Sequence, residues 1–375
     1  MITKHAQDLL EQAGIVVGGD NPWDIQVHDE RWYGRVLRDK NLGLGESYMG
    51  GWWDCQRLDQ MIERLLVNGL PRKVKGGIAG LLQMSPALLF NLQSTVRARM
   101  IADHHYDLGN DLFFSFLDPN LQYSCAYFNS SDNDLSQAQV RKLDLIAGKL
   151  ELNPGDHLLD IGCGWGGLAR YFSENYGCRV TGVNISQEQL KHARQICQDL
   201  PVDFHDRDYR EIEGTYNKVV SVGMFEHVGR KNYRTFMEVV ERCLSDDGVF
   251  LLHSIGNNIS RISCDPWITR YIFPNSMLPS LAQIGRAAEN RFVIEDVHNL
   301  GPHYDHTLMA WHDNFQQAWP QLASRYDERF KRMWEYYLLS CAGAFRARNI
   351  QLWQVVMTKQ GSGTGQPNCR WPTQA

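Results

Sequence analysis

From about residue 100 onward, short apolar runs alternate with stretches in which apolar residues recur every three to four positions. The apolar runs predict β-strands, which in chain order are 158–161, 179–183, 202–205, 218–222 and 249–253. The amphipathic stretches predict helices, at 144–150, 168–176, 187–200 and around 233–244. This alternation is typical of an α/β fold with a parallel, doubly wound sheet, whose ligands bind at the carboxyl ends of the strands.

Three regions of the chain differ in how their apolar, glycine and basic residues are distributed. Residues 1–75 mix short apolar segments with Gly-rich turns and predict a small N-terminal domain. Residues 76–100 predict a helical linker, whose apolar stretch is preceded in the chain by Arg72 and followed by Arg99. Such a helix suits either a membrane interface with anionic lipids or packing against the neighbouring domain with its basic ends in solvent. Residues 101–375 are expected to form the catalytic domain.

Composition disfavours several protein classes. The 375 residues carry a net charge of −5, so the chain lacks the basic excess of a nucleic-acid surface and no nucleic-acid partner is expected. The N-terminus does not resemble a signal peptide, and no apolar run is long enough to span a bilayer. The nine Cys contain no C-x-x-C pair. Neither structural zinc nor a disulfide framework is therefore expected, and the expected location is the cytoplasm.

The loop after the first predicted strand is dense in glycine, since residues 158–167 are Leu-Leu-Asp-Ile-Gly-Cys-Gly-Trp-Gly-Gly. Gly162, Gly164 and Gly167 satisfy the spacing of dinucleotide-binding loops. Asp160 changes this picture, because a carboxylate at the strand end would repel a pyrophosphate and attract the ammonium of a methionine moiety. We therefore expect S-adenosylmethionine here, with a dinucleotide or a plain tight turn as the alternatives.

The ends of the second and third predicted strands carry candidate contacts to a nucleoside. Asn184 occupies the place where dinucleotide sites have an acid, which disfavours NAD. Asn184 and Gln189 suit hydrogen bonds to ribose, and a compatible alternative is an Asn–Ser helix cap. Asp208 and Tyr209 lie where an adenine would arrive, with Tyr209 covering the ring and Asp208 accepting from its amino group.

Two acid–base groups follow the fourth and fifth predicted strands. Glu226 comes shortly after 218–222, and His253 ends 249–253. A lone His at a strand end is more often structural than catalytic. An acid and a His at adjacent strand ends beside a Gly-rich loop favour an active site.

Six motifs in order resemble the bacterial cyclopropane fatty acid synthases, and the catalytic part is similar to the mycobacterial cyclopropane mycolic acid synthases. The resemblance covers nearly the whole chain except about the last dozen residues. The motifs are Leu42-Gly-Leu-Gly-Glu-Ser-Tyr-Met with Gly51-Trp-Trp, Asp107-Leu-Gly-Asn, Tyr123-Ser-Cys-Ala-Tyr, Asp160-Ile-Gly-Cys-Gly-Trp-Gly, Gly223-Met-Phe-Glu-His-Val-Gly and Cys341-Ala-Gly-Ala-Phe-Arg.

The resemblance implies a Rossmann-like class I methyltransferase sheet with helices on both faces. It also implies transfer of a methylene from S-adenosylmethionine to the cis double bond of a phospholipid acyl chain. The residues that match the family's cofactor contacts are Tyr123, Ser124, Gly162, Gly164, Asn184, Gln189, Tyr209 and Arg210. Those that match its bicarbonate site are Cys125, Glu226, His253, Ile255 and Tyr304. Cys341 matches the family's active cysteine, and Asn184 stands where relatives often have Thr.

The implied chemistry requires a dry site, because methyl transfer to an alkene leaves a carbocation that water would quench. Our hypothesis is that bicarbonate is the base, oriented by Glu226, His253 and Tyr304. Cys341 lies on a predicted helix and is expected to line the pocket, with nucleophilic catalysis as the alternative. A phospholipid substrate favours the membrane-interface interpretation of residues 76–100 and peripheral association with the inner face of the membrane. The N-terminal domain is expected to assist docking or to form a homodimer.

Three other functions stay open at this point. A methyltransferase that leaves an intact methyl group would share the same core. A non-catalytic protein that binds cofactor and lipid would not need Glu226, His253 and Tyr304 together. A dinucleotide oxidoreductase would use the same glycine spacing.

Overall fold

The computed structural model describes residues 2–70, 109–129, 134–362 and 367. In chain order, the first elements are α1 (Ile2–Glu11), β1 (Gln26–Val27), α2 (Arg31–Met49), β2 (Trp53–Asp54) and α3 (Leu58–Val67). They are followed by α4 (Asn110–Phe116), α5 (Leu135–Leu150), β3 (His157–Ile161), α6 (Gly167–Tyr176), β4 (Arg179–Asn184), α7 (Gln187–Ile196) and β5 (Val202–Asp206). The remaining elements are β6 (Tyr216–Val222), α8 (Tyr233–Cys243), β7 (Leu244–Asn257), α9 (Pro266–Tyr271), α10 (Leu281–Ala288), β8 (Phe292–Asn299), α11 (Gly301–Leu322), α12 (Glu328–Arg346) and β9 (Ile350–Lys359).

The described residues belong to two compact units, each assembled from separate stretches of chain. The first unit, which we call the helical unit, contains 2–70, 262–274 and 304–350. The second, which we call the sheet unit, contains the other described residues. The sequence-based boundaries at 75 and 100 differ from this division, because 262–274 and 304–350 pack with the N-terminal helices. The predicted linker at 76–100 lies outside the described residues.

The helical unit is held together by helix α12, which contacts both α2 and α3. The Arg346 guanidinium forms ion pairs with Asp59 at 2.6 Å and with Asp305 at 2.8 Å, so that one side chain joins α12, α3 and α11. The core of this unit is rich in tryptophan and buries Trp32, Trp53, Trp267, Trp311 and Trp334.

The sheet unit is a seven-stranded sheet in the order β5-β4-β3-β6-β7-β9-β8. The five strands from β3 to β7 pair in parallel, and β8 pairs antiparallel to β9. Alternate residues of β3 enter different cores, since Leu159 packs with α8 and α10 while Leu158 packs with α5 and α6. Helices therefore cover both faces, which confirms the predicted α/β fold. Within the described residues, no helix is long and apolar enough to cross a bilayer.

The structure confirms the five predicted strands, but β7 continues to Asn257, so His253 lies inside the strand rather than at its end. The helix that precedes the strands is longer than predicted. Helix α5 begins at Leu135 rather than near Asp144, because polar residues such as Gln139 and Lys142 face the protein interior and disguise its apolar side. Strands β8 and β9 were not predicted. Strand β8 carries exposed Val293, Ile294 and Val297, which breaks the regular alternation that marks a half-buried strand.

Gly167 offers a test of this packing, because a Cβ at this position would lie 1.7 Å from the Asn120 main-chain oxygen. We expect Gly167→Ala to lower the unfolding free energy by about 2 kcal/mol, as for an overpacked core. The matched control is Gly285→Ala in helix α10, where the new methyl group meets open space. That variant should be stabilised by about 0.5–1 kcal/mol, since Ala favours a helix over Gly. Thermal unfolding of both proteins measures the difference, and equal melting temperatures would contradict the close contact.

Candidate functional site

The strand order reverses between β3 and β6, and the polar residues predicted from sequence collect at this edge of the sheet. The loop after β3 is anchored by the Gly162 and Cys163 amides, which donate to the Val183 carbonyl at 2.8 and 3.2 Å. At Gly164, with φ of +54°, no heavy atom of the described chain lies within 4 Å of where a Cβ would be. The loop backbone is therefore open to a ligand at Gly164.

Asp160 is the penultimate residue of β3 and is only 2% exposed. Burial raises the pKa of this carboxyl to about 7, and the charge of Lys142 acts in the opposite direction. The carboxyl is thus poised between its neutral and anionic forms near neutral pH. A cation bound next to it would favour the anion.

The end of β4 forms a small amide network. The Asn184 Nδ2 donates to Gln189 Oε1 at 2.8 Å and lies 3.4 Å from the Gly164 carbonyl oxygen. The cap of helix α7 is Ser186, whose side chain accepts from the Gln189 amide. The helix-cap interpretation therefore belongs to Ser186, and the Asn184 side chain connects β4 to the glycine loop.

After β5, Asp208 and Arg210 are paired with each other. The Asp208 carboxylate accepts from the Arg210 Nε at 2.7 Å and from its Nη2 at 2.8 Å. The Tyr209 ring is buried against Phe236, with 5.4 Å between ring centroids. The Asp208 carboxylate, which the sequence analysis assigned to an adenine amino group, is thus hydrogen-bonded to Arg210. Contact of Asp208, Tyr209 and Arg210 with the cofactor stays a prediction.

His253 belongs to β7, and the Glu226 side chain is hydrogen-bonded to the same strand two residues further along, at Ile255. The Glu226 Oε1 accepts from the Ile255 amide at 2.6 Å, and the Gln354 Nε2 lies 3.2 Å from the His253 Nδ1. A neutral imidazole that accepts from this amide at Nδ1 carries its proton on Nε2. Within the described chain, the Glu226 Oε2 and the His253 Nε2 are buried without a hydrogen-bond partner.

Burial controls the charges of this pair. It raises the pKa of Glu226 to about 7, against the hydrogen bond from Ile255 that lowers it. It holds the pKa of His253 well below its usual range, with further lowering by the charges of Lys142 and Lys149. His253 is therefore neutral at pH 7, and its Nε2 and the Glu226 Oε2 are two buried polar atoms without a hydrogen-bond partner in the described chain. Groups of this kind are costly unless a ligand satisfies them.

Helix α5 holds the segment that carries Tyr123, Ser124 and Cys125 through side-chain hydrogen bonds. The Lys142 Nζ donates to the Gln122 Oε1 and, at 3.2 Å, to the Ser124 Oγ. Cys125 is buried, with its Sγ 3.7 Å from the Leu300 carbonyl oxygen. The sequence did not indicate Lys142, and the signal that could have found it is a lysine on the buried side of an amphipathic helix.

Tyr304 and Cys341 belong to the helical unit. The Tyr304 ring packs 4.7 Å from Phe345 and 5.9 Å from Trp311, between centroids. Burial raises the pKa of the Cys341 thiol to about 12. A protonated thiol is a poor nucleophile, which favours the pocket-lining interpretation. Among the described residues, no group of three or more His, Cys, Asp or Glu is placed to hold a metal ion.

Comparison with known proteins gives a consistent family. The family described as "Mycolic acid cyclopropane synthetase" matches residues 93–355. The cyclopropane-fatty-acyl-phospholipid synthase of Escherichia coli K12 is 52% identical over 354 residues, which cover 94% of this chain and 92% of that protein. Cyclopropane mycolic acid synthase 1 of Mycobacterium tuberculosis H37Ra is 34% identical over 273 residues, covering 68% of this chain and 95% of that protein.

Solved structures agree with the fold. The mycolic acid cyclopropane synthase CmaA1 complexed with SAH and CTAB has a TM-score of 0.65 and 34% identity, covering 70% of this chain and 98% of that one. Coclaurine N-methyltransferase, bound to N-methylheliamine and SAH, has a TM-score of 0.70 at 22% identity and covers 84% of this chain and 99% of that one. At that identity the second likeness concerns the fold alone.

The buried Glu226 carboxyl predicts a pH-dependent stability. Since its pKa is about 7 in the folded protein and 4.5 ordinarily, its stabilising contribution is complete below pH 4.5 and is lost as the pH rises through 7. Ionisation of Glu226 lowers the unfolding free energy of wild type by at most about 3 kcal/mol, and Glu226→Gln should not show this decrease. The melting temperature of the variant relative to wild type should therefore increase between pH 5 and pH 8.

The control for that measurement is Glu174→Gln on helix α6, where the side chain is exposed. Its melting temperature relative to wild type should stay constant over the same pH range. A constant difference for Glu226→Gln as well would contradict the burial of an unpartnered carboxyl oxygen.

For Cys341 we expect the serine variant to remain active. Cys341→Ser conserves the size of the side chain, and the thiol that it replaces is protonated at neutral pH because burial raises its pKa to about 12. Turnover should stay within about tenfold of wild type, well short of the loss caused by removing a nucleophile. Complete loss of turnover in a folded Cys341→Ser protein would establish a covalent role.

Proposed function

The chain belongs to the mycolic acid cyclopropane synthetase family, and from this premise we propose that it forms a cyclopropane ring on an unsaturated phospholipid acyl chain. In the coarser terms that the family supports, it is a methyltransferase-type transferase that uses S-adenosylmethionine on unsaturated lipids. The finer proposal specifies the cis double bond, the carbocation and the base.

The residues at the edge of the sheet fit the cofactor. Gly164 leaves its backbone accessible, and a Cβ there would point into open space. Asp160 is a buried carboxyl that an ammonium group would convert to its anion. Asn184 and Gln189 present amide groups at the next strand end. S-adenosylmethionine, when bound, supplies the methyl carbon, whose bond to sulfur breaks as a bond to one alkene carbon forms.

The observation that carries the proposal is that Glu226 Oε2 and His253 Nε2 are both buried without a hydrogen-bond partner in the described chain. A small group that both accepts and donates hydrogen bonds would satisfy both atoms. Bicarbonate fits, since its oxygens accept from the His253 N–H and its hydroxyl donates to the Glu226 carboxylate. Bicarbonate would supply the base that removes a proton from the transferred methyl group. The C–H electron pair then closes the ring onto the second alkene carbon. Participation of Cys125, Ile255 and Tyr304 rests on the resemblance.

The protein has to position the alkene and keep water away from it. Positioning of the reactants contributes several kcal/mol to such reactions. Aromatic faces stabilise a carbocation by roughly 0.5–2 kcal/mol each. Our aromatic candidates include Tyr123 and Tyr127, which are half-buried next to Cys125. Phe225 is instead stacked on Tyr233 at 4.4 Å between centroids and belongs to the core.

The proposal places the enzyme at a membrane surface, where its phospholipid substrate is found. Basic residues on either side of the apolar linker at 76–100 are the supporting sequence feature. That linker lies outside the described residues. Cytoplasmic location, peripheral association with the inner face of the membrane and homodimer formation stay predictions from sequence.

Incubation with methyl-labelled S-adenosylmethionine and monounsaturated phospholipid vesicles tests the reaction. We expect the label in a cyclopropane ring, identified by mass and NMR, and none in saturated vesicles. Glu226→Gln should lower kcat by about 100-fold or more, as for loss of general-base function, while the KM for S-adenosylmethionine changes little. Glu174→Gln should leave both constants unchanged.

Two results would contradict the proposal. An intact methyl group on the lipid would instead identify a methyltransferase that does not close a ring. Near-normal turnover of Glu226→Gln would remove Glu226 from the base site while leaving the overall reaction in place.

A further inference from the structure

We propose that Lys142, which the family resemblance did not indicate, is the positioning residue that holds the Tyr123–Ser124 segment ready for the cofactor. Its side chain is completely buried on helix α5. The inference rests on the proposed use of S-adenosylmethionine and adds a residue to that site.

The hydrogen bonds of Lys142 converge on one segment. Its Nζ donates to the Gln122 Oε1 and to the Ser124 Oγ, and both partners are uncharged. Gln139 lies three residues earlier on the same side of α5, and its Nε2 donates to the Ser124 carbonyl at 2.9 Å and to the Gln122 carbonyl at 3.2 Å. Two side chains of one helix therefore hold the main chain and the side chains of residues 122–124.

The chain just before this segment, at Asn120, contacts the glycine loop and the start of helix α6. The Asn120 carbonyl oxygen lies so close to Gly167 that a Cβ would not fit, and the Arg170 Nη2 donates to the Asn120 Oδ1 at 2.9 Å. Asp118 fixes the bend between these contacts, accepting from the Asn120 and Gln122 amides at 2.9 and 2.8 Å. A shift of the segment on α5 would thus move the edge of the cofactor loop.

The charged and titratable groups that face Lys142 are Asp118, Asp160, Cys125 and His253. Burial lowers the pKa of Lys142 to about 8, against the charges of Asp118, Cys125 and Asp160, which raise it. The protonated lysine in turn lowers the pKa of Asp160 and of His253. One ammonium therefore favours the anionic form of Asp160 and the neutral form of His253, which are the forms that the proposed reaction requires.

Replacement of Lys142 by an apolar side chain should weaken cofactor binding in a pH-dependent manner. Without the ammonium, Asp160 stays protonated to higher pH and attracts the ammonium of the cofactor less strongly at pH 7. Ser124 also loses a donor. A residue with only a packing role would change affinity without moving the pH at which affinity rises.

The experiment measures the Kd of S-adenosylhomocysteine by calorimetry from pH 6 to pH 9 for wild type, Lys142→Met and Lys149→Met. Lys149 is the matched control because it is a second buried lysine of α5, paired with Asp296 at 3.3 Å and with His298 at 3.1 Å. We expect wild-type affinity to increase as the pH rises toward 7 and Asp160 ionises. For Lys142→Met, the Kd at pH 7 should increase by about tenfold or more, which corresponds to about 1.4 kcal/mol. The rise in its affinity should move to higher pH, since the ammonium that favours the Asp160 anion is missing. Lys149→Met should keep the wild-type pH profile.

A folded Lys142→Met protein with the wild-type Kd and pH profile would overturn the inference. If Lys142→Met does not fold, Gln139→Met tests the same segment without removing a charge. Its Kd should increase severalfold with the wild-type pH profile, and an unchanged Kd would overturn the positioning role. Failure of wild type to bind S-adenosylhomocysteine would instead refute the proposed function itself.

Discussion

The reversal of strand order between β3 and β6 is the constraint on which the site depends. Crossover connections leave these two neighbouring strands toward opposite sides, so no connection covers the crevice at their carboxyl ends. Asp160, Asn184 and Glu226 reach this edge because each follows or ends a parallel strand. His253 joins them because β7 pairs in register with β6, placing it opposite Val222. Topology alone therefore brings together residues that are up to 93 positions apart, from 160 to 253.

The site buries three titratable groups, and burial shifts their pKa values away from those they have in water. Asp160 and Glu226 have pKa values raised by burial to about 7, and the pKa of Lys142 is lowered by burial to about 8. All three groups therefore change charge within a narrow pH range around neutrality. Such an arrangement opposes stability in the absence of ligand and is typical of functional sites. It also means that a bound cation or a small hydrogen-bonding anion interacts with groups that solvent has not already satisfied.

Much of the sheet could be predicted because its strands are short apolar runs between amphipathic helices. The glycine loop, Asp160 and the two acid–base residues were identified for the same reason, as each marks the end of such a run. Lys142 and Gln139 could not be found in this way, because polar residues on the buried side of α5 weaken the periodicity that defines a helix. The hydrogen bond of Asn184 to Gln189 was not predicted, whereas the Ser186 cap agrees with the Asn–Ser helix cap that the sequence allowed. The helical unit escaped prediction because long-range helix pairing leaves no periodic signal in one sequence.

The helical unit has a consequence for how the protein is made. Helices α2 and α3 find their packing partner in α12, which ends at Arg346, nearly 280 residues after α3. During synthesis, the Tyr48 ring is complete long before Arg332 and Tyr336, which pack against it, exist. Closing such a long loop precedes any gain from the contact, which slows folding and exposes apolar surface to aggregation. The sheet unit depends in turn on its last strand, β9, which lies inside the sheet between β7 and β8. The helical unit is therefore incomplete until Arg346 has been synthesised and the sheet unit until Lys359, so packing of the first helices is a late event.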